Sequence, residues 1–298
     1  MRSRRSRPST NKGATAYNAH VPRFFYDSLC ASWRRSNSAL CVGLDPLLDR
    51  LPSRLRGSRG SFFAFCREIV DATADLVCAF KPQFAHFAAE RAESELEALI
   101  AHIHREHPGI PVILDAKRSD IDATAEQYAR ELFERYDADA ATVNPYLGWD
   151  SIAPFAEYPG RGTVILCLTS NPDSAWLQDH PGQDPAYLRV ADMAVANDCG
   201  NLMLVVGATY PVQLGKVRAR APRLPFLVPG VGAQGGDVDA VFAHGLDAAG
   251  AGLVVNASRS VIYAGEGDGF AKAARHAAMQ LRDEMRRARD TVRSTVRS

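Results

Sequence analysis

No run of apolar residues in this chain approaches the roughly 20 needed to cross a bilayer as a helix. Its opening residues also lack the charged-then-apolar order of a secretory signal. The two absences argue against a membrane-embedded or exported protein. Charge of one sign is missing as well: 35 Lys and Arg stand against 34 Asp and Glu, a formal net charge of +1. A chain so balanced has no global attraction to nucleic acid or to an anionic membrane surface. The six cysteines (Cys30, Cys41, Cys66, Cys78, Cys167 and Cys199) never occur as CxxC, the spacing of zinc clusters and thiol redox motifs. Most sit inside apolar stretches, so they read as reduced core thiols of a cytoplasmic protein, without a disulfide frame or metal cluster. Finally, no linker rich in Pro, Gly or Ser divides the central region, and no GxGxxG follows the first strand-like segment.

What is present is a large apolar content, 46% of 298 residues, enough for two small domains or one α/β barrel. Short β-branched runs alternate with longer segments of helical periodicity. ALCVGLD (39–45), CAFKPQ (78–83), PVILDAK (111–117), AATVNP (140–145), GTVILCLT (162–169), NLMLVVG (201–207), PFLVPG (225–230) and AGLVVN (251–256) read as eight strands. Helical patterns lie between them, a long one begins near Gly269, and an extra one, RFFYDSLCASWRRS, precedes the first strand. Strands apolar on both faces indicate a parallel sheet covered on both sides. Eight such units predict a closed (β/α)₈ TIM barrel. An open doubly wound sheet is the rival, disfavoured by the missing dinucleotide fingerprint.

Both ends of the chain are basic. MRSRRSRPSTNK opens it without an acid, and RRARDTVRSTVRS (286–298) closes it. The Arg- and Ser-rich opening shares its composition with organelle transit peptides, but a solvated, disordered tail fits better. The expected arrangement is a basic tail over 1–20, one barrel domain over 21–285, and a second basic tail over 286–298.

Side chains at the C-terminal ends of barrel strands line the active-site mouth. Asp45 ends the first strand, Lys81 the second, Asp115 and Lys117 the third, Asn144 the fourth and Ser170 the fifth; Arg259 lies just past the eighth. Asp115 and Lys117 are two apart and share a face of a strand, whereas Asp120 and Thr124, four apart, share a face of the following helix. With Lys81 on the neighbouring strand, the mouth holds an alternating Lys-Asp-Lys-Asp array, in which adjacent carboxylates favour the charged form of Lys117. Asp122 and Arg118 fit the array less well. A second signal is PGVGAQGGD (229–237) after the seventh strand and NASRS (256–260) after the eighth. Loops there frequently bind phosphate: glycines let backbone N–H groups approach an anion, Arg259 offers a bidentate fork and Gln234 an amide donor. A plain Gly-rich turn beside a surface arginine is the alternative.

LDAKRSDIDAT fits D-x-K-x-x-D-I-x-x-T, and with CVGLDP, FKPQ, TSNP, PGVGAQGGD and SRS in order it resembles the orotidine 5′-phosphate decarboxylase family. The likeness spans about Leu40 to Tyr263, and TVNPYLGWD looks like the longer bacterial subgroup often called type 2. The resemblance implies decarboxylation of a nucleotide, orotidine 5′-phosphate, to uridine 5′-phosphate, without metal or organic cofactor. It implies Lys117 as proton donor to C6 of the pyrimidine, with Asp115 beside the departing carboxylate. Asp45 and Lys81 would hold ribose hydroxyls, Ser170 the pyrimidine amide edge, and Gln234 and Arg259 the 5′-phosphate. It further implies a homodimer in which Asp120 and Thr124 reach into the partner's site; Asn144 receives no role. The Arg-rich opening and PDSAWLQDHPGQDP (172–185) depart from the core family pattern. Two other readings are a Mg²⁺-dependent sugar-phosphate decarboxylase or aldolase of the same superfamily, and a non-catalytic phosphate-binding barrel. The first needs an acidic metal ligand where this chain has Lys81.

Overall fold

The computed structural model describes residues 25–231 and 236–297. The expected tail over 1–20 and the candidate phosphate donor Gln234 lie outside the described residues.

The chain enters through helix α1 (Phe25–Ser36) and strand β1 (Leu40–Leu44), followed by α2 (Ser61–Thr73) and β2 (Ala79–Pro82). Next come α3 (Phe84–Ala89), α4 (Glu93–Glu106), β3 (Ile113–Arg118), α5 (Asp122–Arg130) and β4 (Ala140–Val143). A short α6 (Ala153–Ala156) leads to β5 (Gly162–Leu168), α7 (Ala175–Gln178), α8 (Ala186–Asn197) and β6 (Leu202–Val206). The chain closes with α9 (Pro211–Arg220), β7 (Phe226–Pro229), α10 (Val238–Gly245), β8 (Leu253–Ala257), α11 (Arg259–Ile262) and α12 (Phe270–Arg297).

All eight strands pair in parallel in the order β2-β1-β8-β7-β6-β5-β4-β3. The barrel closes between β2 and β3 through two bridges, Phe80 with Val112 and Gln83 with Asp115, and a Phe80 N–H to Pro111 C=O bond of 3.0 Å. The expected eight-unit barrel is therefore what forms. Its last seam is a sparse one, and it carries Lys81, Gln83 and Asp115.

Alternation along the strands sends Leu40, Val42 and Leu44 outward to the helices, and Cys41, Ala79, Ile113, Ala140, Val164, Met203 and Val254 inward. The inward set is small or slender at the strand starts because α1 plugs that end with Phe25 and Leu29, both buried. A Cβ on Gly162 would fall 2.6 Å from the Phe25 ring, so the glycine lets the plug seat against β5. Three bonds fix the helix there: Tyr26 OH donates to the Leu202 carbonyl, Ser32 Oγ to Cys78 O at 2.7 Å and Trp33 Nε1 to Leu253 O at 3.0 Å.

The expected C-terminal tail from residue 286 is corrected: α12 runs to Arg297. Met285 and Ala288 are buried, and the arginines bond outward-facing carbonyls and amides of the barrel's closed end. Arg286 Nε donates to Asn37 O at 2.9 Å, Arg289 to Asn37 Oδ1 at 2.9 Å and Arg293 to Gly250 O at 2.9 Å. Composition marks the segment only as basic; in the fold these arginines anchor a helix whose other face is apolar. The cysteines are all free, with Cys41, Cys66, Cys78 and Cys167 buried. Among the described residues, no helix is long and apolar enough to cross a membrane.

Candidate active site

The site begins with an irregularity in β3. Register against β4 shifts between Leu114 and Arg118, and Lys117 adopts φ +49°. A bulge of this kind re-aims a side chain where regular pleating would not. Thr142 on β4 stabilises it: its Oγ1 accepts the N–H groups of Ala116 (3.0 Å) and Lys117 (2.9 Å) and donates to Asp115 Oδ1 (2.8 Å). Asp115 and Lys117 thus meet at the mouth, Lys117 Nζ lying 2.7 Å from Asp115 Oδ1, through the bulge rather than by simple strand alternation.

The other carboxylate oxygen, Oδ2, accepts Lys81 Nζ at 2.9 Å and Gln83 Nε2 at 3.1 Å. Asp115 therefore receives four donors, two on each oxygen. Burial opposes its ionisation, but the Lys81 and Lys117 ammoniums overcome that and hold the carboxyl well below the usual carboxylate range. Burial likewise would lower the pKa of Lys81, only 4% exposed, yet Asp115 and then Asp45 hold it above the ordinary lysine range. The array is a fixed set of charges, and its member with the most solvent access is Lys117, whose side chain is 48% exposed.

These groups line a cavity of ≈ 450 Å³ at the C-terminal mouth, within the range of small-molecule sites. Asp45, Lys81, Asp115, Lys117, Ser170 and Arg259 all face it, as expected from sequence. Its floor is apolar, from Leu166, Val205 and Leu227, and suits one face of a planar ring. Gly230, Val231 and Arg259 form the β7–β8 rim. Asp45 Oδ1 and Asn256 Oδ1 are buried acceptors without a hydrogen-bond partner among the described residues. Buried acceptors are ordinarily paired, so these two suit the hydroxyl donors of a polar ligand. Two glycines make room: a Cβ on Gly43 would lie 1.8 Å from Ser258 Oγ, and one on Gly207 would lie 2.9 Å from Ser170 Cα.

Three sequence-predicted residues fall elsewhere. Asn144 accepts the Tyr146 N–H at 3.0 Å and lines a neighbouring depression with Tyr146, Leu177 and Gln178. Asp120 and Thr124 do not share a helical face, because α5 starts only at Asp122; Asp120 precedes it and accepts the Ile121 N–H at 2.9 Å. The departure of Lys117 and Asp122 to positive φ delays the helix. Neither residue lines the cavity holding Lys117 of the same chain; Thr124 is exposed beside Gln127 and Tyr128. Conversely, Thr142, Gln83 and Asn256 belong to the site and were missed. The lone polar residue in AATV and the amide next to FKP were the available signals.

The stretch 172–185 folds beside the mouth. Gln178 on α7 is tied to the end of β5, accepting the Thr169 N–H at 2.9 Å and donating to Thr169 Oγ1 at 2.9 Å.

Comparison with known proteins agrees with this geometry. The model of the orotidine 5′-phosphate decarboxylase / HUMPS family matches residues 38–274. The chain is 56% identical over 262 residues to the orotidine 5′-phosphate decarboxylase of Azoarcus sp. (strain BH72), covering 87% of this chain and 97% of that protein. The enzyme of that name from Dechloromonas aromatica (strain RCB) is 55% identical with the same coverage. Among solved structures, Leishmania donovani OMP decarboxylase superposes with a TM-score of 0.75 at 39% identity, covering 89% of this chain and 98% of that one. Motif order, barrel, charge array and likeness over nearly the full length of these relatives converge: the chain belongs to the orotidine 5′-phosphate decarboxylase / HUMPS family.

Proposed function

We propose that the cavity decarboxylates orotidine 5′-phosphate to uridine 5′-phosphate, a reaction of pyrimidine biosynthesis, with Lys117 as proton donor. The activity follows from the family and from relatives of that name more than half identical to this chain. The observation that carries the assignment of roles is the Lys81–Asp115–Lys117 array on the cavity wall.

The C6–carboxylate bond breaks, CO₂ leaves, and the electron pair stays on C6 in an orbital that the ring π system delocalises poorly. A preorganised ammonium stabilises that developing charge. An N–H of Lys117 then supplies the proton that takes the place of CO₂, and the amine is reprotonated from solvent. Asp115 holds the Lys117 ammonium in place, 2.7 Å from its Oδ1. Lys81 and Asp45 hold ribose hydroxyls, Ser170 the pyrimidine amide edge, and Arg259 with Gln234 the 5′-phosphate. Binding energy from that remote phosphate is available to the reacting centre.

Asp120 and Thr124 act in this reading from the partner subunit of a homodimer, in the cytoplasm. Their place outside their own chain's cavity supports it, as does Ile121 between them, 50% exposed despite its apolar side chain. A buried Lys81 at the end of β2 opposes the Mg²⁺-dependent alternative, since a cation there repels a second one.

Purified protein is expected to consume orotidine 5′-phosphate, followed by its ultraviolet absorbance, at a rate unchanged by EDTA. Absence of turnover refutes the reading, and EDTA-sensitive turnover of a sugar phosphate instead favours the metal-dependent alternative. Subunit sharing has its own test. Lys117→Ala and Asp120→Ala proteins, each nearly inactive, should regain about a quarter of wild-type activity when co-refolded, because half the dimers are hybrid and each hybrid carries one intact site. No recovery on mixing refutes the shared site.

A further inference from the structure

At the end of the barrel opposite the mouth, three side chains from two helices converge on one point. Asp71 lies two residues before the end of α2, His102 on the last turns of α4, and His107 at its C-cap. His102 Nε2 is 2.7 Å and His107 Nε2 2.8 Å from the same oxygen, Asp71 Oδ1. All three candidate ligand atoms lie within 4.8 Å of one another. Residues five apart do not face each other on a helix. His107 reaches His102 because the chain leaves helical geometry there, at φ −129° and ψ 56°, bringing the two rings to 5.9 Å. His102 is 7% exposed and held edge-on by Phe63, with centroids 6.1 Å apart, so its orientation is fixed in advance. The Asp71 side chain is 46% exposed, which gives an ion a route in from solvent.

We propose that Asp71, His102 and His107 form a binding site for a borderline divalent cation of the Zn²⁺, Co²⁺ or Ni²⁺ type, joining α2 to α4. Two imidazoles with one carboxylate are a donor set for these ions; the hard ions Mg²⁺ and Ca²⁺ prefer all-oxygen sites. Two Nε2 atoms already aimed at one carboxylate oxygen need only a small opening to place an ion between them, with each imidazole carrying its remaining proton on Nδ1. Three protein ligands leave a further position for water. The site takes no part in decarboxylation: it sits among helix C-termini, whereas the Lys117 cavity lies at strand C-termini. Its effect is to brace the α2–α4 pair.

The test uses full-length protein stripped with EDTA, from which the chelator is then removed. Titration with Co²⁺, read by its visible d–d absorption, and with Zn²⁺ by calorimetry should give one saturable site per chain, and Zn²⁺ should raise the Tm. In His107→Ala and Asp71→Asn the affinity should fall by more than about 100-fold, since even losing a group that only orients a metal ligand costs about 10–100-fold. Both changed residues are at least partly exposed, so folding should survive, and retained orotidine 5′-phosphate turnover in each variant verifies it. Absent saturable binding, or binding unchanged in both variants, overturns the proposal. Loss of turnover on chelation would overturn the separation of this site from catalysis.

Discussion

Lys117→Ala is expected to lower kcat by at least about 10⁴-fold while changing the affinity for uridine 5′-phosphate by less than about tenfold. Two contributions disappear together. A positioned general acid supplies typically 10²–10⁴-fold, and a preorganised charge at the reacting atom a further 10²–10³-fold. In the proposed mechanism they combine because one ammonium performs both tasks. The product, in contrast, should keep the proposed ribose and phosphate contacts, none of which is assigned to Lys117. The fold should also tolerate the change, because the Lys117 side chain is 48% exposed and Asp115 retains Lys81, Gln83 and Thr142 as donors. Single-turnover decarboxylation and equilibrium binding measured on one preparation separate the two quantities. A variant with near-normal kcat would show that the proton comes from elsewhere.

Asp115→Ala should do more damage to the protein as a whole. The carboxylate is 7% exposed and accepts four donors, two of them cationic. Removing one partner of a buried ion pair costs about 3–5 kcal/mol, and here it leaves Lys81 with only Asp45, 4.0 Å away, as counter-charge. Urea unfolding at neutral pH is expected to show a loss of that order, with kcat falling as well because Lys117 loses its anchor. The pH dependence has a definite sign. A carboxyl whose folded pKa is depressed contributes stability that is present above its unfolded pKa of about 3.9 and lost as pH falls toward the folded value. The gap between wild type and Asp115→Ala should therefore be widest near neutrality and narrow on acidification below about pH 4. A gap constant from pH 7 to 3 would assign the loss to packing instead of charge.

Much of this protein is legible from residue order. Strands such as LCVGL and LVVNA announce themselves by continuous β-branched and apolar residues, and alternation with helical periodicity leads directly to the barrel. Asp115, Lys117 and Lys81 are legible for a related reason: position at a strand end implies the mouth once the barrel is assumed. The site residues that escaped notice are those whose role depends on a neighbour far along the chain. Thr142 is an unremarked threonine in AATV until β4 lies beside a bulged β3 and its hydroxyl receives two backbone N–H groups. Gln83 matters only because the barrel closes between β2 and β3. The arginines after residue 285 read from sequence only as a basic tail, because the carbonyls they bond, on Asn37 and Gly250, are some 250 and 43 residues away.

The sequence by itself determined which segments form strands, that eight of them make a covered parallel barrel, and which charged residues stand at its mouth. These are consequences of backbone periodicity and apolar patterning over a few residues, and they hold before any long-range contact exists. Tertiary structure alone decided that a bulge turns Lys117 onto Asp115, that Thr142 holds that bulge, and that α5 starts only at Asp122, so that Asp120 and Thr124 share no helical face. It also brought Asp71, His102 and His107, as far apart as 36 residues, onto one oxygen. Each of these depends on where closure of the barrel and departures from regular dihedral angles put side chains, and local spacing carries no record of that.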